Sequence, residues 1–144
     1  MNFQIQNTEF KDLPAIVELA LKTPELQDHE EPSFLQESVL KGYIESPHDI
    51  FLSVFEGEEL IGFVICPFNP YTKVAYLEDI VLKQGHRGKG LGSQLIDHLK
   101  SILESKNYLD IWGLVHEDNQ GMMQLLEKRG LKKGRKFYLY DGEL

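Results

Sequence analysis

Residues 85–92 read Gly-His-Arg-Gly-Lys-Gly-Leu-Gly and stand between an apolar run, Val74 to Leu82, and an amphipathic segment, Leu91 to Lys106. A strand that turns through glycines into a helix leaves a row of backbone N–H groups unpaired at the positive end of the helix dipole. Because glycine has no side chain to block a close approach, such a junction suits a phosphate-bearing ligand, and a cofactor carrying a pyrophosphate fits it.

The flanking pattern predicts what holds the junction in place. Phe3 to Gln6 alternates like a short strand, and Asp12 is an N-cap for a helix from Leu13 to Lys22 with Pro14 in its first turn. Ser33 followed by Gln36 is a capping box for a helix from Phe34 to Glu45, stopped before Pro47. Asp49 to Phe55 and Leu60 to Cys66 predict an antiparallel hairpin, and Val74 to Leu82 one further strand of its sheet. Leu91, Leu95, Leu99, Ile102 and Leu103 recur at helical spacing, and Asn107 ends that helix. Tyr108 to Val115 predicts a nearly continuous buried strand, parallel to its neighbour, with the preceding helix as crossover. A helix from Asn119 to Arg129 stops at Gly130, and Phe137 to Tyr140 predicts a last strand. The fold class is therefore α/β, mixed α+β, with antiparallel strands first and then one strand-helix-strand unit.

At 144 residues the chain fits a single domain, 1–144. A net charge of -8 argues against broad nucleic-acid binding, which needs a basic face, and mildly favours cationic partners. Lone Cys66 excludes an intrachain disulfide and a multi-cysteine metal site. His29-Glu30 and His116-Glu117 lack the second histidine of a zinc helix, so no metal is expected. With neither a leader-like start nor a run of membrane-spanning length, a cytoplasmic protein without membrane partners is the expectation.

Three phosphate-binding turns compete for the glycines. The nucleoside-triphosphate loop needs Lys after Gly90, where Leu91 stands, and the dinucleotide turn needs a third glycine where Ser93 stands. Arg87-Gly88-Lys89-Gly90-Leu91-Gly92 instead resembles the Arg/Gln-x-x-Gly-x-Gly/Ala signature of the GNAT superfamily of acyl-CoA-dependent N-acetyltransferases, and Asn119, Leu125, Glu127, Lys128 and Gly130 match the offsets of its second pattern. The resemblance implies a central mixed, mostly antiparallel sheet with splayed fourth and fifth strands and helices on both faces. Acetyl-CoA would be the cosubstrate and an amine, small molecule or protein group, the acceptor.

It also implies roles by position. The backbone of Ile80, Val81 and Leu82 would pair with the pantetheine arm, and the N–H groups from Arg87 through Gly88, Lys89, Gly90, Leu91 and Gly92 to Ser93 would hold the pyrophosphate. Asn119 would steady the pantetheine arm, a helix N-cap role being equally open to it. The N–H near Leu82 would be the oxyanion donor, and Glu78 is favoured over Asp79 as the base, since neighbouring strand residues face opposite ways.

Two departures stand out. Leu126 occupies the position where many members carry a proton-donating tyrosine, which leaves Tyr138, Tyr140, His116 or water as substitutes, and motivates the alternative of a non-catalytic acyl-CoA-binding module. Only one strand-sized segment follows the last helix, so the sheet edge is open or completed by a second copy in a homodimer. The basic cluster Lys132, Lys133, Arg135 and Lys136 reads as a solvated run. The resemblance implies that the acidic stretch Glu25, Asp28, Glu30 and Glu31 borders the acceptor site, where it would attract a cation, a plain soluble loop being equally open to it.

Overall fold

The structure, a computed structural model, describes residues 2–26 and 36–144. These divide into two compact units at Leu114/Val115.

In the first unit, residues rich in Ile, Phe and Val form the hairpin of β2 (Asp49–Glu56) and β3 (Glu59–Asn69). Strand β1 (Phe3–Asn7) pairs with β2, and two short strands, β4 (Val74–Leu77) and β5 (Asp79–Leu82), pair with β3, all antiparallel. The one parallel pair joins β4 to β6 (Asp110–Gly113). The result is a six-stranded mixed sheet in the order β1-β2-β3-β4-β6, with β5 beside β3.

Helices α1 (Leu13–Leu21) and α2 (Glu37–Glu45) cover one face. Leu13, Ile16, Ala20 and Leu40 bury against Phe51, Phe63, Ile65 and Val81. Helix α3 (Leu91–Ser105) covers the other, packing Leu91 and Leu95 on Val54 and Ile61, with Ile80 and Leu82 at the margin. Val81 thus faces α1 and α2, and its neighbours face α3, as the strand period requires. Gly62 lies opposite Leu82, and a Cβ there would stand 2.7 Å from the Val81 carbonyl oxygen, so only glycine lets β5 lie this close. After α3, Asn107 takes a φ of 62° and the chain crosses over to β6.

The second unit contains α4 (Gln120–Lys128). Asn119 caps it by accepting the Met122 N–H at 3.1 Å, and Gly130, at a φ of 90°, ends it.

Four sequence expectations need correction. The expected single strand Val74 to Leu82 is two strands broken at Glu78, because its register against β3 shifts there. The expected buried strand Tyr108 to Val115 shrinks to Asp110–Gly113, and Trp112 is 59% exposed. As the edge of its sheet, β6 has a single neighbour among the described residues, and apolar composition alone does not bury it. Phe137 to Tyr140 forms no strand and pairs with none among the described residues, and Tyr138 is 88% exposed. Asp12 precedes α1, but its carboxylate accepts the Glu9 N–H at 2.9 Å rather than capping the helix. Ser33, Phe34 and the acidic residues Asp28, Glu30 and Glu31 lie outside the described residues.

Candidate active site

The site begins with a shift of register in the sheet. Three steps along β3, from Ile65 to Phe68, oppose four along the facing strand, from Asp79 to Ala75. The extra residue makes a β-bulge, with the Glu78 N–H donating to the Ile65 carbonyl at 3.1 Å. On one side of the bulge, β4 continues into the parallel pair with β6, which ends at Leu77 and Gly113. Past it, β5 keeps only its β3 partner among the described residues, so the sheet splits and one edge of β5 lies open among them.

Ladder alternation decides which peptides face that opening. The Lys83 N–H donates to the Ile61 carbonyl at 2.8 Å, which directs the Val81 peptide groups into the β3 ladder and those of Ile80 and Leu82 outward. The Leu82 carbonyl accordingly accepts a bond from Arg87 Nε at 3.0 Å. Its N–H remains on the open edge.

The chain then passes through a 3-10 turn, Gln84–His86, into the glycines. His86 leans on the hairpin through Glu56, with Nε2 and Oε2 3.4 Å apart. Gly88 and Gly90 take φ values of 75° and 84°, which other residues resist. That path, followed directly by the first turn of α3, leaves the N–H groups of Gly88, Lys89, Gly90, Leu91, Gly92 and Ser93 without an acceptor among the described residues. Six successive donors at a helix N-terminus are suited to an anion.

Arg87 is engaged differently from its neighbours. Its N–H is 3.3 Å from the Gln84 carbonyl, and its guanidinium donates to Glu25 at 2.7 and 3.4 Å. The guanidinium holds the Glu25 carboxyl below the usual range and ties the glycine turn to the Pro24–Leu26 turn.

Glu78 is exposed at the bulge, and its Oε2 accepts from the Tyr43 hydroxyl at 3.1 Å. Burial first, then the charge of Glu78 and the bond to it, push that hydroxyl from 10.0 up to about 12. Tyr43 sits on α2, 35 residues away, and nothing in the local sequence marks it. Of two grooves, one of about 390 Å³ runs along β1 and α1, and one of about 450 Å³ is lined by Tyr43 itself together with Pro47, Asp49 and Phe68. Among the described residues no cluster of His, Cys, Asp and Glu could hold a metal, and no helix is long and apolar enough to cross a membrane.

Cys66 lies beneath this region. Burial, and after it the charges of Asp49 and Glu78, push its thiol from 9.0 up to about 12. The unfolded chain releases that proton earlier, so the stability linked to it is complete below pH 9.0 and lost as the pH rises toward 12. At about 1.4 kcal/mol per pH unit the loss is about 4 kcal/mol. Denaturant unfolding at rising pH should show Cys66→Ala escaping this decline; parallel curves for variant and wild type would show that the thiol is not buried.

A split sheet, a bulged strand and a glycine turn of unpaired amides together define an acetyltransferase fold. The model of the Acetyltransferase (GNAT) family matches residues 13–131, and the chain belongs to that family. Among solved structures it is similar to the PaiA N-acetyltransferase from Thermoplasma acidophilum in complex with coenzyme A, at 23% identity over 92% of this chain and 91% of that one, with a TM-score of 0.82. It is also similar to AAC(6')-Iy in complex with the bisubstrate analogue CoA-S-monomethyl-acetylneamine, at 14% identity over the whole of both chains and a TM-score of 0.82. Streptothricin acetyltransferase of Streptomyces lavendulae is 29% identical over 62 residues, a stretch covering 43% of this chain and 33% of that protein.

Proposed function

We propose that the protein is an N-acetyltransferase that moves an acetyl group from acetyl-CoA to a primary amine by direct transfer in a ternary complex. The observation that carries this reading is the continuity of the open β5 edge with the six unpaired amides of the glycine turn. The edge suits an extended pantetheine arm, which the peptide groups of Ile80 and Leu82 would flank, and the turn suits its diphosphate. The Val81 peptide, held in the ladder, instead fixes the strand. A relative crystallised with coenzyme A and another with a bisubstrate analogue support the same assignment. The family match runs from residue 13 to 131, across both units, which supports one catalytic domain.

When bound, acetyl-CoA supplies an activated thioester. Glu78 takes the proton of the acceptor amine, and the outward Leu82 N–H stabilises the oxygen on which negative charge develops. Asn119 caps α4 by accepting the Met122 N–H. Leu126 has no proton to donate, which is the observation that favours the second reading, a binding module without turnover.

Isothermal calorimetry with coenzyme A and acetyl-CoA, followed by thiol release against a panel of primary amines, tests both. Binding with release toward at least one amine is expected. Binding without release from any amine would favour the module, and no binding would remove both.

A further inference from the structure

We propose that Tyr43 is a positioning residue for the transfer: its hydroxyl holds Oε2 of Glu78 so that Oε1 is left aimed at the acceptor amine. The inference rests on the assignment of Glu78 as the proton acceptor. Glu78 stands at a bulge on an open part of the sheet, where an unanchored glutamate samples many rotamers. Among the described residues Tyr43 is the only hydrogen-bond partner of its side chain.

Tyr43 itself is rigidly placed. Its ring packs edge-on against Phe51, with centroids 6.4 Å apart at 81°, beside the core under α1 and α2. Phe51 meets Phe63 in turn at 6.3 Å. The hydroxyl is therefore carried by the hydrophobic core, and it keeps its proton at the pH values at which a carboxylate base works. The two carboxylate oxygens divide the work, one accepting a fixed donor while the other remains for chemistry. The charges of Asp49 and Asp79 also act on the hydroxyl and, like that of Glu78, favour its protonated form.

Removing only the hydroxyl, in Tyr43→Phe, keeps the ring and its packing. Steady-state kinetics with the best amine of the panel should show kcat lowered about ten- to a hundredfold, with the KM for acetyl-CoA unchanged and the melting temperature close to wild type. The deciding measurement is a double-mutant cycle. If Tyr43 acts through Glu78, Tyr43→Phe has no further effect in the Glu78→Gln background. A full additional loss there, or an unchanged kcat in the single variant, would overturn the positioning role while leaving Glu78 as base.

A readout independent of turnover accompanies it. The difference in alkaline absorbance titration between wild type and Tyr43→Phe isolates the Tyr43 ionisation, which should move to lower pH when Glu78 becomes Gln. No movement would show that the two side chains do not meet in solution. Should Glu78→Gln itself leave activity intact, or every amine prove inert, the assignment of the base fails and the proposal with it.

Discussion

Glu78→Gln should lower the rate of acetyl transfer at neutral pH on the order of 10² to 10³-fold and leave coenzyme A affinity unchanged. The magnitude follows from the acceptor. A lysine-like amine, with a pKa of about 10.4, is neutral in only about one molecule in 2,500 at pH 7, and a positioned base offsets most of that deficit. Glutamine keeps an oxygen to accept the Tyr43 hydroxyl, so the geometry survives and only proton acceptance is lost. The deficit should therefore shrink as the pH rises toward the amine's own pKa, because the solution then supplies the neutral nucleophile. Initial rates of thiol release across pH would show this convergence. A constant ratio between variant and wild type would mean that Glu78 shapes the site without taking the proton.

The parts of this site that were legible in the sequence are those set by neighbours along the chain. The glycine turn, the amphipathic helix after it and the hairpin before it follow from local periodicity and turn chemistry, and each stands where the residues put it. Asn107 and Gly130, read as helix stops, do take positive φ. The bulge was only half legible: the adjacent polar pair Glu78-Asp79 interrupts the alternation of the run, but only the register of β3 against its two partners shows the extra residue there. The contact with Tyr43 is hidden for the same reason, spanning 35 residues between a helix and a strand. Arg87 shows the opposite limit. Its backbone belongs to the glycine turn that local spacing marks, whereas its guanidinium reaches Glu25, 62 residues away, and the Leu82 carbonyl, contacts that no local pattern marks. Phe137 to Tyr140 has strand composition and no strand, since β-propensity expresses a fit to neighbours that this segment lacks.

Gly90→Val should weaken coenzyme A binding by at least tenfold, about 1.4 kcal/mol or more, with a smaller effect on stability. No atom lies within 4 Å of where its Cβ would stand, so steric collision is not the cause. The cause is the φ of 84°, a region closed to a β-branched residue at a cost of about 1 to 3 kcal/mol. To escape it the turn must rotate, and the amides of Leu91, Gly92 and Ser93 lose their common aim just where α3 begins. Lys89→Ala provides the contrast. Lys89 is an exposed charge on the same turn, and its contribution to binding an anion is screened by salt, whereas a ring of short amide contacts is screened much less. Calorimetric titrations at low and high salt would separate the two: the Lys89→Ala deficit should fade as salt rises, and the Gly90→Val deficit should persist. If both fade together, the turn attracts its ligand by net charge and its backbone geometry is incidental.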